Sequence, residues 1–295
     1  MTPQIVVCPY RFTSQAARVA DFYKLIGLEE VRRSGSGYTV LRGAAGYLAI
    51  HPTASARVGK ATETHLSFMV PSVEKYLAQL PENVVNLVWW DEAWGQAAGI
   101  VDPAGGGIWI NEWEHDLYGY EDRLAEGAAP AQEYSDNGEG AEAVDKETAG
   151  SHSAGEASLP KAGGRSGEPV AVEVVMVRYS YDFDADRNFF AKLGFQSAAG
   201  ACPEWEQMSA SKQSGWIGLH YPNAGQQTVR KDDNNPVGDF VPLVSLSLQT
   251  TEDLQQLADR LSEHGYPAQV VTDAAATKVH VTDPDGAALE IHPVL

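Results

Sequence analysis

Cysteine is scarce in this chain, with only Cys8 and Cys202 present. Without a CxxC pair, there is no sign of a disulfide-stapled scaffold, a zinc ribbon or a redox dithiol. Basic charge is short as well, with 21 Lys and Arg against 40 Asp and Glu and a net charge of -19. That balance argues against partners that select basic patches, so neither nucleic acid nor an anionic lipid surface is expected. Long apolar runs are missing too: stretches such as Val172 to Val177 fall far short of the roughly 20 residues a membrane helix needs. The start, MTPQIVVCPYR, has neither a basic opening nor a long apolar core, and a cytoplasmic location is expected. No phosphate loop, nucleophile elbow, zinc helix or dinucleotide fingerprint occurs, and Gly105-Gly106-Gly107 lies within a hairpin pattern.

What is present is a repeat. DFYKLIGLEE, from Asp21, matches NFFAKLGFQS, from Asn188, at an offset of 167. GYLAIHP, from Gly46, matches GWIGLHYP, from Gly215, at 169, and VDPAGGG matches TDPDGAA with Asp102 and Asp283 in register at 181. Between the halves, Glu114 to Glu168 holds thirteen acidic against four basic residues, a net of -9, and no aromatic after Tyr134. Such a segment buries too little apolar surface to offset its ordering entropy and reads as a flexible acidic linker. The expected organisation is a first domain over 1–113, a linker over 114–168 and a second domain over 169–295.

Each half divides again. A strand at Ile5 to Tyr10 leads to a helix at Ser14 to Ile26, closed by Gly27, and to strands at Tyr38 to Leu41 and Tyr47 to His51. HLSFMV from His65, a helix at Val73 to Leu80 and three more strands follow. After the linker the pattern recurs, with helices at Ala185 to Leu193 and Glu252 to His264. The fold class is therefore α+β, with four βαβββ modules at 1–60, 61–113, 169–240 and 241–295.

FYxxxGL, HLSFMVPSVEKYLAQL, EAWGQAAGIVDPAGG, FFxxLGF and VTDPDGAALEI together resemble the vicinal oxygen chelate superfamily. That group includes glyoxalases, extradiol dioxygenases, fosfomycin-inactivating enzymes and bleomycin-resistance proteins. The resemblance covers both halves and omits the linker. It implies modules paired into two glyoxalase-like domains, one with two and three with four, whose curved mixed sheets form cups. In its metal-using members, a module can offer one ligand from its first strand, usually His, and one from its last, usually Glu. Imidazole and carboxylate suit Fe, Mn, Ni or Zn while leaving open positions for substrate oxygens.

The matching positions here are Cys8 and Ala49, His65 and Trp109, Val175 and Gly218, and about Ser245 and Glu290. Only His65 and Glu290 keep a metal-ligand type, and they fall in different halves; His292 shares a face with Glu290 by strand alternation. His65 can equally hydrogen-bond a neighbour at a strand start, and Glu290 can equally face solvent. His51 and His220 occupy matched strand ends. Trp109, with Trp90 in the same half, puts a flat apolar surface where a ligand residue would stand, which favours stacking of a planar molecule; either ring can equally pack the core or the module interface. Asp102-Pro103 and Asp283-Pro284 read as turn chemistry.

The expected function is binding of a small organic, aromatic-type ligand in a cup by Trp109, Cys8, Ser245 and Trp90, with no tight metal. The protein would be a monomer of paired modules or a homodimer. A lyase, isomerase or dioxygenase with an unconventional divalent-metal site at Glu290, His65 or His292 is the second expectation. An inert two-domain interaction protein is the third.

Overall fold

The structure, a computed structural model, describes residues 5–34, 37–53, 60–81, 88–92, 95–113, 171–198, 202–233, 235, 237–273 and 276–294. The acidic segment at 114–168 lies outside the described residues.

The first module contains β1 (Val6–Val7), β2 (Tyr10–Thr13), α1 (Ala16–Ile26), β3 (Glu29–Arg33), β4 (Thr39–Arg42) and β5 (Tyr47–Pro52). The second contains β6 (Thr64–His65), β7 (Ser67–Val70), α2 (Val73–Leu77), β8 (Val88–Glu92), β9 (Gly95–Val101) and β10 (Gly107–Glu112). The third runs β11 (Val172–Tyr179), α3 (Phe183–Lys192), β12 (Gln196–Ser197), β13 (Trp205–Ser209) and β14 (Trp216–His220). A hairpin absent from the sequence reading, β15 (Val229–Lys231) and β16 (Phe240–Pro242), precedes the fourth module. That module holds β17 (Val244–Thr250), α4 (Leu254–Glu263), β18 (Ala268–Thr272), β19 (Thr277–Thr282) and β20 (Ala288–Pro293).

Within every module the first strand pairs in parallel with the last, as in β2 with β5 and β17 with β20. Modules then join through their first strands, antiparallel: β11 with β17 in the second half, β1 with β7 and β2 with β6 in the first. The second half is one eight-stranded sheet, whereas the first is two five-stranded sheets. The division comes at Pro9, which has no N–H for the ladder and so separates β1 from β2.

Strand alternation assigns the faces. On β11, Val172, Val174 and Met176 point to the helices, joining a cluster with Phe190 and Leu193, while Val175, Val177 and Tyr179 take the concave face. The helix-side cluster continues through both halves. Phe68 lies 5.3 Å from Phe195, and Phe22 meets Tyr266 edge-on at 4.9 Å. The Tyr76 hydroxyl donates to the Leu193 carbonyl at 2.9 Å. Backbone bonds cross as well: Val7 N–H to Ser214 O at 2.7 Å, and Val174 N–H to Ala45 O at 2.9 Å.

The repeated glycines of GYLAIHP and GWIGLHYP meet here. Gly46 and Gly215 both adopt positive φ, 78° and 71°, and a Cβ on Gly215 would come within 2.9 Å of the Gly46 Cα. Only glycine tolerates both the conformation and the approach.

The two Asp-Pro hairpins do more than turn. Asp102 Oδ1 accepts the amides of Ala104 and Gly106 at 2.9 and 2.7 Å, and Asp283 Oδ1 those of Asp285 and Ala287 at 3.0 and 2.9 Å. The second oxygen of each reaches a buried arginine from the other half. Arg178 Nη2 lies 2.7 Å from Asp102 Oδ2, and Arg11 Nη2 lies 2.6 Å from Asp283 Oδ2. Arg11 and Arg178 sit at the same 167-residue offset as the aromatic pairs, so the halves clasp each other reciprocally. Burial pushes the Asp102 carboxyl up, against the pull of Arg178 and of the hairpin amides.

Candidate functional site

The concave face of the first half is filled by its own side chains. Cys8, Tyr10, Phe12, Tyr38 and Tyr47 form a buried cluster separate from the helix-side core, with Cys8 only 2% exposed. Trp109 is 7% exposed and meets Trp90 edge-on at 5.6 Å. These three expected ligand-binding residues thus lie in or beside packed structure. His65 Nε2 lies 3.4 Å from Glu63 Oε2, which also takes Arg230 Nη2 at 2.5 Å. The His65 imidazole therefore has a partner within its own surroundings. His51 and His220 each place Nδ1 against the next residue's carbonyl, at 2.9 and 2.7 Å, so the repeated histidines perform the same strand-end task.

His65 and Ser245 do come together, in a groove of about 180 Å³ between the halves whose walls include Arg11, Glu63 and Arg230. It is smaller than the roughly 300 Å³ at which small-molecule sites begin. Its charges are already paired within the chain, Arg11 with Asp283 and Arg230 with Glu63.

The concave face of the second half is different. Cross-strand register sets out two adjacent rows. One runs Gln207, Gly218, Val177, Ser245 and the next Trp216, Val175, Ser247, Glu290, His280. Glu290 therefore sits opposite Ser247, not Ser245 as the sequence alignment placed it. The two-residue step keeps the face and changes the row. Ser245 instead shares a hydrogen bond with the Tyr179 hydroxyl at 2.9 Å. The ring of Trp205 covers Gly218, where a Cβ would come within 2.2 Å of it, and lies 6.0 Å from His220. Beside it, Gln207 is 6% exposed and its Nε2 has no hydrogen-bond partner among the described residues.

Glu290 is half-buried and well partnered. Its Oε1 lies 3.1 Å from Lys278 Nζ and 2.9 Å from His280 Nε2, and its Oε2 lies 3.3 Å from His292 Nε2. Burial raises this carboxyl, but the Lys278 hydrogen bond and charge, with the charges of His280 and His292, outweigh it and hold the group below the usual carboxylate range. Burial lowers the His292 imidazole in spite of Glu290. Trp205, Gln207, Lys278 and His280 escaped the sequence reading. The alternation of Lys278 and His280 in TKVHVT was the available signal for two of them.

No protein-family model matches the sequence, and no curated protein matches it. Solved structures do. The 2,3-dioxygenase LapB from Pseudomonas sp. KL28 aligns over 98% of this chain and 91% of its own, at 12% identity and a TM-score of 0.54. The 2,2',3-trihydroxybiphenyl 1,2-dioxygenase from Sphingomonas wittichii strain RW1 aligns over 100% and 91%, at 14% identity and 0.52. BphC, a halotolerant catechol dioxygenase, aligns over 100% and 87%, at 12% identity and 0.51. Together with four βαβββ modules paired through their first strands, these likenesses decide the architecture. The chain has the vicinal oxygen chelate fold of the extradiol dioxygenases.

The family resemblance in the sequence implies a divalent metal held by first-strand histidines and a last-strand glutamate. The residues in that row do not fit one. Val175 has no donor atom, the Ser247 hydroxyl donates to the Glu290 carbonyl at 2.9 Å, and the Glu290 carboxylate contacts an ammonium. Among the described residues no group of three or more His, Cys, Asp or Glu is arranged to hold a metal ion. Nor is any described helix long and apolar enough to cross a membrane.

Proposed function

We propose that this chain binds a small planar organic molecule on the concave face of its second half, without a tightly held metal. The observation that carries the reading is Gln207. A buried amide donor without a partner costs about 1–3 kcal/mol, and a ligand oxygen placed against it removes that cost. The ring of Trp205, two residues away on the same face, offers the stacking surface. The ligand class is thus a flat, aromatic-type molecule with a carbonyl, phenolate or carboxylate oxygen. Structures bearing the names of catechol and trihydroxybiphenyl dioxygenases share the fold, which supports an aromatic ligand. The closed first cup leaves the second half as the place for it, rather than Cys8 and Trp109.

Titration with a panel of small phenols, catechols and aromatic carboxylates, followed by tryptophan fluorescence, tests this. At least one member should give a saturable change in the micromolar range, weakened by about tenfold or more in Gln207→Leu or Trp205→Ala, the loss expected of one hydrogen bond or one stacking contact. No saturable change across the panel, or binding untouched by both variants, contradicts it.

A metal-dependent lyase, isomerase or dioxygenase is the second reading, favoured by the two imidazoles beside the Glu290 carboxylate. The inert interaction protein draws its support from the first half alone, whose cup is closed.

A further inference from the structure

We infer that Lys278 is a built-in cation, holding Glu290 where a divalent metal would otherwise take it. Nζ of Lys278 lies 3.1 Å from Glu290 Oε1 and 3.1 Å from Asp273 Oδ2, and its side chain is only 11% exposed. A solvated surface ion pair leaves the ammonium free to swing into water, whereas here it is largely covered and faces two carboxylates. A lysine ammonium is charged at neutral pH, and here two carboxylates flank it. A dication approaching Glu290 would meet this charge directly, and at short range in a partly desolvated place the repulsion is only weakly screened.

The rest of the cluster has the residue types of metal ligands, although as placed they do not converge on one ion. His280 stands directly across the sheet from Glu290, and His292 follows Glu290 by two residues on the same face. Both Nε2 atoms approach the carboxylate. Two imidazoles and one carboxylate form a donor set suited to Zn, Mn or Fe. These histidines come from the last two strands, so the set differs from the first-strand positions occupied by Val175 and Ser247. As the chain stands, the ammonium uses the shared carboxylate. With the ammonium gone, the carboxylate is released, and the two imidazoles beside it need only turn toward a shared ion to complete a site.

The inference rests on the reading of this face as metal-independent, and the two fail separately, because the ligand titration reports on Gln207 and Trp205 while the following assay reports on Lys278. Full-length protein, Lys278→Met and Lys278→Met/Glu290→Gln are titrated calorimetrically with Zn²⁺. The expected result is a Zn²⁺ site at least about tenfold tighter in Lys278→Met than in the unaltered chain, lost again when Glu290→Gln is added. Lys278→Gln, which keeps a polar but uncharged head group on a shorter stem, serves if the Met variant misfolds. Equal affinity with and without Lys278, a tight site in the unaltered chain, or a gain that survives Glu290→Gln each overturns the inference.

Discussion

Arg178→Met is expected to lower the unfolding free energy by about 3–5 kcal/mol, the cost of stranding a buried charge. The Arg178 and Asp102 side chains are both 0% exposed, so Asp102 would keep its hairpin amides but lose its counter-charge. Asp186, also buried and under the influence of Arg178, would lose that charge too. The loss is a large fraction of the ~5–15 kcal/mol that holds a typical protein folded. Replacing the pair together, as Arg178→Met with Asp102→Leu, should restore part of it, since a buried pair is often matched by apolar packing. Urea denaturation with a slope comparison is the check. A single variant within about 1 kcal/mol of the unaltered protein would mean that the clasp contributes little.

Phe68→Ala should cost a similar amount, about 3–5 kcal/mol, through the cavity it leaves. Phe68 belongs to the first half, yet its ring lies 5.3 Å from Phe195 and 6.4 Å from Phe190 of the second. Because the helix-side core is continuous, both halves should melt together at a lower temperature in a scanning calorimeter. Two separated transitions, with only the first displaced, would show that the halves fold as independent units.

The architecture was readable because it rests on local patterns: strand alternation, helix-closing glycines and a repeat carried by FYxxxGL and its counterpart. The Asp-Pro hairpins were likewise correctly assigned as turns, since Asp102 and Asp283 each spend one oxygen on the local amides. Their second oxygens were beyond that reading. The partners Arg11 and Arg178 lie across the molecule, and the only local signal for them is their matched position, 167 residues apart, in otherwise apolar strands.

The candidate site was less readable for a related reason. Whether a cup is open depends on how tyrosines from several strands meet. Cys8 looks like a lining residue in the chain and proves to be buried in one cluster with Tyr10, Phe12, Tyr38 and Tyr47. Ser245 and Ser247 share a face, and only the pairing with β20 puts Ser247 opposite Glu290. Glu290 kept the residue type of a metal ligand, but its ammonium partner is supplied by the neighbouring strand.

Metal content is the most direct measurement of the central proposal, that this chain binds its ligand without a tightly held metal. The protein would be produced with iron, manganese and zinc in excess, passed through gel filtration and analysed for elements. The expected result is no stoichiometric divalent metal. A stoichiometric metal that is retained by the unaltered chain and lost in Glu290→Ala would contradict it.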